Sequence, residues 1–516
     1  MVRIEIRKLK IRLKLILFRY QIVLLALFGT FQNQLSATTS QSLRIGTASI
    51  DITPPLPAAV DGQMRLRVAT IAETALSANV VVLESKGDFG KLDVSVLISC
   101  DLVTIPYELS GKIKESVAFA IPELDTRKII INATHTHTGG VIRDGWYTIP
   151  DTVTQAGDYQ NLVSRQVTQA VVEAWEKRDS GSISWGMGHA KVAYIRRAVY
   201  NDGSAKMYGK TNQDDFRKME GYEDQSILSL FFWDRAGKLV ATCINVSSPA
   251  QIVESRSTIH ADYWDPVRQG LQKKFGSDLV VLGWIGASGD QTPRPMFDQF
   301  AEFRMMELRQ KNNSPEFNDG TEPVDFRTDS YLDEVGDRIV NVVVQTYEAV
   351  SRDQYREVVF DHVVEEIDLP MRLVTEEEYH NSKKLRDEDL NDTDRAIEFS
   401  RRVAFYGEVI DRYETQQKIL QPMYPVEIHA LRIGDVVICT NPFEMFTDFG
   451  IQIKARSRAL QTFIIQLVGP GTYLATKEAL AGGHYSAIVE SNRVGPEGGQ
   501  ILVDHTISMI SALWPK

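Results

Sequence analysis

Two imidazoles one residue apart, His135 and His137 in the stretch Ile129-Ile-Ile-Asn-Ala-Thr-His-Thr-His-Thr-Gly-Gly140, form the arrangement in this chain best suited to hold a metal ion. Alternate side chains of an extended strand share a face, so both rings are expected on one side, where the apolar run gives way to a Gly-Gly turn. Imidazole is a common zinc ligand. A zinc ion with one open position lowers the pKa of its water to about 7 and polarises a carbonyl oxygen, so the chemistry on offer is hydrolysis near neutral pH. Surface or hydrogen-bonding histidines can show the same spacing, so the surroundings of the pair must decide.

Four other apolar runs also end in polar clusters. Val94 to Ser99 leads to Cys100-Asp101, and Leu279 to Ile285 leads to Gly286-Ala-Ser-Gly-Asp-Gln-Thr-Pro293. Val436 to Cys439 leads to Thr440-Asn-Pro-Phe-Glu444, and Phe463 to Val468 leads to Gly469-Pro-Gly-Thr-Tyr473. Any one of these is ordinary turn or helix-cap chemistry. Their recurrence at five strand ends points to a shared cleft, because open α/β sheets place ligands at the carboxyl ends of strands.

These runs, with Lys128 to Ala133, read as buried strands, and Leu162 to Lys177 and Ala261 to Phe275 read as helices. The alternation predicts an α/β fold, a single large catalytic domain over residues 42–516 with mixed sheets flanked by helices. A sub-boundary is conceivable near residue 355. Arg309 to Asp329 and Thr375 to Gln417 read as a surface loop and as solvated helices. No internal repeat is visible.

The 516 residues are 43% hydrophobic and 24% charged, a composition able to bury a large core. The formal charge of −11 argues against a nucleic-acid partner, which would need a basic face. Arg3, Arg7, Lys8, Lys10, Arg12, Lys14 and Arg19 precede the short apolar run Ile22 to Phe31, and small residues follow at Ser36 and Ala37. That order predicts a secretory signal over residues 1–37 and an exported protein, periplasmic or released; an uncleaved anchor is the competing reading. Cys100, Cys243 and Cys439 are odd in number and lie in apolar runs, so buried free thiols are expected rather than disulfides.

The chain resembles the neutral or alkaline non-lysosomal ceramidases from Asp51-Ile-Thr-Pro-Pro55 to Glu497-Gly-Gly-Gln500. His135-Thr-His-Thr-Gly139 is similar to the family's metal motif, and Gly289-Asp-Gln-Thr-Pro293 to the segment that carries an essential serine, with Thr292 at the serine position. Phe443-Glu-Met-Phe-Thr447 resembles the segment supplying a glutamate ligand, which implies Glu444. Tyr473-Leu-Ala-Thr-Lys-Glu478 resembles the stretch supplying a tyrosine ligand, which implies Tyr473. Ile195-Arg-Arg197 is similar to a substrate-cleft segment, which implies Arg196. Typical members continue beyond the tyrosine segment into an immunoglobulin-like domain, which this sequence is expected to lack.

Ser248 in Ser247-Ser-Pro249 stands where the family places its third zinc histidine, and serine cannot replace imidazole at similar affinity. His260 in Thr258-Ile-His-Ala-Asp262 is suggested to fill the vacancy, with a capping role as the alternative. The resemblance therefore implies zinc held by His135, His137, His260, Glu444 and Tyr473. Arg196 and Thr292 would stabilise an oxyanion, with Asp290 or Asp101 orienting ligands. The implied reaction is cleavage of an N-acyl amide, ceramide to sphingosine and fatty acid, on a lipid or other small substrate, with peripheral membrane contact left open. Two alternatives stand beside it: an amidase or esterase acting on another acylated lipid or sugar, and a non-catalytic binding protein on the same scaffold. His189, His362, His380, His429 and His505 have no partners at ligand spacing, and His484 is placed only near the pocket. The chain has no HExxH, Walker loop or GxSxG elbow.

Overall fold

The computed structural model describes residues 41–86, 92–309 and 324–514. The expected signal at residues 1–37 and residues 310–323 of the first charged stretch lie outside the described residues. Gln41–Lys516 forms one compact unit.

Runs of valine, isoleucine and leucine fill the inner strands, several of them buried throughout, and the strands assemble three sheets of like plan. In the first, β1 (Gln41–Asp51), β2 (Ser77–Lys86) and β3 (Leu92–Cys100) form an antiparallel meander, and β4 (Ile129–Ala133) joins β3 in parallel after α1 (Tyr107–Ala120). In the second, β5 (Ser182–His189), β6 (Ser226–Trp233) and β7 (Leu239–Val246) form the meander, and β8 (Val280–Ile285) lies parallel to β7. The third repeats the plan with β9 (Phe360–Pro370), β10 (Met423–Ile433) and β11 (Val436–Thr440), closed by β12 (Gln461–Ile465) parallel to β11. Each parallel step needs a helical crossover. The first is α1. A long helix, α2 (Ala156–Glu176), then follows β4. In the second unit α3 (Trp264–Phe275) crosses over and α4 (Asp329–Val350) follows. The strand-to-strand plan therefore occurs three times, a repeat of topology that the residues do not display.

Alternation along the strands divides the apolar residues between two layers. Val80, Val82, Val96, Ile98, Ile129 and Ile131 face α1 and α2, whereas Val81, Leu83, Leu97 and Ile130 face inward. The inward residues of all three sheets meet in one central core that includes Phe232, Cys243, Trp284, Ile438 and Phe463. Burial of each large apolar side chain contributes about 1.5–3 kcal/mol. Polar bonds seam the sheets: Ser99 Oγ and Asn132 Nδ2 donate to the Gly283 carbonyl at 2.7 and 2.9 Å, and Asn245 Nδ2 donates to the Ile464 carbonyl at 2.9 Å. His362 Nδ1 on β9 meets Ser95 Oγ on β3 at 2.8 Å. Cys100, Cys243 and Cys439 are buried free thiols.

The second charged stretch is helical, as α5 (Glu376–Leu390) and α6 (Ser400–Gln416). It is not merely a solvated face: Glu378, Asn381, Leu385, Arg402, Phe405 and Tyr406 wall the main cavity. No described helix is long and apolar enough to cross a membrane. The third unit ends with α7 (Thr447–Arg456), the crossover from β11 to β12, and α8 (Pro496–Leu513).

Candidate active site

The segments that follow the parallel strands of all three units meet at one place. β4 ends at Ala133, and His135 adopts φ 61°, a left-handed conformation sparsely populated by non-glycine residues. Strand alternation therefore does not align the two rings, as the sequence suggested; a strained turn does, and such strain clusters at functional sites. The rings lie 4.7 Å apart between centroids and nearly perpendicular at 79°, with Nε2 facing Nε2 at 3.3 Å. Glycine at position 62 makes room for this packing, since a Cβ there would lie 2.6 Å from the His137 ring.

The hydrogen bond of His135 Nδ1 to the Val103 carbonyl, at 2.8 Å, puts the proton on Nδ1 and leaves the Nε2 lone pair free. Glu444 Oε2 lies 3.3 Å from that same nitrogen. Burial first, then the adjacent His135 ring and the charges of Arg401, Arg67 and Arg196, hold His137 well below its ordinary pKa, so its ring is neutral. Its Nδ1 is buried without a hydrogen-bond partner, 3.8 Å from Glu254 Oε2. Burial would raise the Glu444 carboxyl, but His135, Arg196 and a hydrogen bond from Tyr473 outweigh it and keep the group below its usual range. Burial and the Glu444 charge push the Tyr473 phenol well up, so it keeps its proton.

Arg196 is 1% exposed and donates to the Gly289 carbonyl at 2.8 Å, the Tyr473 hydroxyl at 3.2 Å and Gln251 Oε1 at 3.1 Å. Burial acts to depress this guanidinium, and Tyr473, Tyr208 and Glu444 more than offset it, so Arg196 is cationic throughout. Above this floor lies a cavity of about 860 Å³ lined by His137, Arg196, Gln251, Glu254, Tyr473 and Tyr485 among others.

Other residues singled out in the sequence sit elsewhere. The His260 main chain braces the histidine loop, since its carbonyl accepts from Thr136 and Thr138 at 2.7 and 2.8 Å. Its ring turns back to accept from the Asp262 amide at 2.8 Å, and it is not brought to His135 and His137. Ser248 is fully buried and its hydroxyl has no partner. Thr292 Oγ1 accepts from the Arg294 amide at 3.3 Å and does not line the cavity. Asp290 receives the amide and hydroxyl of Thr447 at 3.0 and 2.7 Å, so it caps the start of α7. Asp101 pairs with Arg268 through both oxygens, at 2.7 and 2.8 Å, and supports Thr134 from below.

The donor types present, two imidazole nitrogens, a carboxylate and a phenol, suit zinc. Nitrogens ~2.0–2.1 Å from a tetrahedral zinc lie roughly 3.3 Å apart, matching the 3.3 Å between the two rings and between His135 and Glu444. Among the described residues, no group of three or more His, Cys, Asp or Glu side chains is placed to hold a metal ion by itself; the fit depends on Tyr473 as a further donor. Gln251, Glu254, Tyr208 and Tyr485 escaped the sequence reading. The only cue for Gln251 was its position just past Ser248-Pro249, at another strand end.

No family profile matches the chain, and no curated protein matches it by sequence. Solved structures do. The neutral ceramidase from Pseudomonas aeruginosa superposes with a TM-score of 0.62 at 15% identity, over 92% of this chain and 76% of that one. A ceramidase complexed with C2 gives 0.63 at 15% identity, over 92% and 75%. At that identity the relation is one of architecture, and the chain is built on the neutral ceramidase fold.

Proposed function

We propose that this chain is an exported, zinc-dependent hydrolase that cleaves an N-acyl amide of the ceramide type. The observation that carries the reading is the contact of His135 with His137 and Glu444, and of Tyr473 with Arg196, where His137, Tyr473 and Arg196 line the main cavity on this fold. His135, His137, Glu444 and Tyr473 would hold the metal. Zinc supplies Lewis acidity and activates water near neutral pH when bound there.

The chain's own groups do the rest. Arg196, cationic and already hydrogen-bonded on several sides, presents a fixed charge to the oxygen that gains negative charge as the amide carbonyl is attacked. The Tyr473 hydroxyl accepts from the same guanidinium and donates to Glu444, which fixes the arginine beside the ligand residues. Glu444, kept ionised by His135, Arg196 and Tyr473, is in the form a cation requires. Leu385 of α5 and Phe405 of α6 give the cavity an apolar wall against which an acyl chain would pack.

The test is to assay purified protein on an N-acyl sphingosine, on short N-acyl amides and on esters, with and without chelator and added zinc. Chelator-sensitive amide cleavage restored by zinc is expected; turnover indifferent to chelator would sink the reading. The vacancy at Ser248 favours one rival, a non-catalytic binding protein on the same scaffold, which would purify without stoichiometric zinc.

A further inference from the structure

The side chains at the cavity floor close into a ring. His135 Nε2 faces His137 Nε2 at 3.3 Å, which in turn lies 2.6 Å from Gln251 Nε2. Gln251 Oε1 accepts from Arg196 Nη1 at 3.1 Å, and Arg196 Nη2 donates to Tyr473 at 3.2 Å. Tyr473 is hydrogen-bonded to Glu444, whose Oε2 returns to His135 at 3.3 Å.

Gln251 is the one neutral amide in this ring and is 1% exposed. Its orientation is determined, because an arginine carries donors only and must face the carbonyl oxygen. The amide nitrogen is thereby turned to His137, and an N–H can donate only to a ring nitrogen that bears no proton. His137 therefore keeps its proton on Nδ1, the atom that has no hydrogen-bond partner.

We propose that Gln251 is a positioning residue that both sets the tautomer of His137 and gates it: its amide occupies the approach to Nε2, so a cation is taken up only as the amide swings away. Because the same side chain holds Arg196, that swing also frees one guanidinium N–H toward the cavity. Metal uptake and readiness of Arg196 for a substrate carbonyl are thus linked through one residue. The inference rests on the reading of His137 as a metal ligand.

The full-length chain, stripped of metal, tests this in two ways. Zinc affinity measured by chelator competition is expected to rise roughly three- to tenfold in Gln251→Ala, the worth of one hydrogen bond that no longer competes. In parallel, ¹⁵N spectra of the metal-free imidazoles are expected to show His137 as a single Nδ1–H tautomer in the unaltered protein and as a mixture in the variant. Gln251→Leu, which fills the same space without an amide, is also expected to tighten zinc; it serves where Gln251→Ala does not fold. Unchanged or weaker affinity in folded variants, an unchanged tautomer, or no measurable zinc on any of the proteins overturns the proposal. Tighter zinc binding in the variants alongside no amide cleavage by the unaltered protein would reject the proposed reaction and leave the role of Gln251 standing.

Discussion

A methyl group added at Gly62 would stand 2.6 Å from the His137 ring, at a backbone φ of 98° that side chains rarely adopt. Gly62→Ala is therefore expected to lower stability by about 1–3 kcal/mol and to displace His137, read as a drop in the denaturant midpoint together with weakened zinc binding. Gly289 plays the matching part for Glu444, because a Cβ there would lie 2.3 Å from the Glu444 carbonyl. On the proposed metal role, Glu444→Gln removes a charged ligand. Outer partners of metal ligands cost 10–100-fold in affinity, so loss of the ligand itself is expected to exceed roughly 100-fold, measured by competition with a chromophoric chelator. At this scale the histidine pair could be read from its spacing, and Glu444, Tyr473 and Arg196 through the family resemblance. Gln251 could not be, since glutamine has no signature as ligand or base, and its role appears only once Arg196 fixes which end of the amide faces His137.

The seam between the first and third sheets contains titratable groups remote from the cavity floor. His362 Nε2 meets His429 Nδ1 at 3.0 Å, and His429 Nε2 lies 3.3 Å from Glu427, which also receives Lys114 at 2.7 Å. Burial first, then the neighbouring ring, Lys128 and Lys114, push His362 well below its ordinary pKa; burial also lowers His429, against the pull of Glu427. Both rings are neutral when folded, while in the unfolded chain they bind protons below pH ~6.5. Stability is thus complete above that pH and is lost as pH falls below it, by up to ~1.4 kcal/mol per pH unit for each ring. Denaturant midpoints between pH 8 and 5 are expected to show that decline, and His362→Gln, which can still hydrogen-bond but does not titrate, should flatten it. Of the strands at this seam, β3 was legible as an apolar run that ends in Cys100-Asp101, whereas β9 and β10 were not, because charged residues interrupt their apolar ones. The helices α5 and α6 were legible as helices but not as a cavity wall. Pairs such as Arg402 with Asp389, at 2.6 and 2.7 Å, give the same charged pattern as a solvated face. Since Leu385 and Phe405 line the cavity, Leu385→Trp is expected to raise KM severalfold on the preferred amide while zinc affinity stays constant.

Across the molecule, the three sheets share one core, in which Trp284 is 1% exposed and meets Phe463 edge-on at 5.7 Å. Trp284→Ala is expected to cost about 3–5 kcal/mol and, because each sheet contributes to that core, to shift a single unfolding transition rather than split it, as followed by circular dichroism and tryptophan fluorescence together. The threefold plan escaped the sequence because it lies in strand order; the links between first and second strands, residues 52–76, 190–225 and 371–422, share neither length nor composition. Those same links supply Gly62 and Gln63, Arg196 and Tyr208, and Arg372 through Tyr406 to the cavity. Each third of the polypeptide thus carries a fraction of the centre and none carries all of it. A nascent chain emerging from the ribosome would display both imidazoles early, yet Glu444 and Tyr473 arrive only with the final third. A fragment that stops short of Glu444 is therefore expected to bind no zinc, because it keeps the two imidazoles without the carboxylate and phenol.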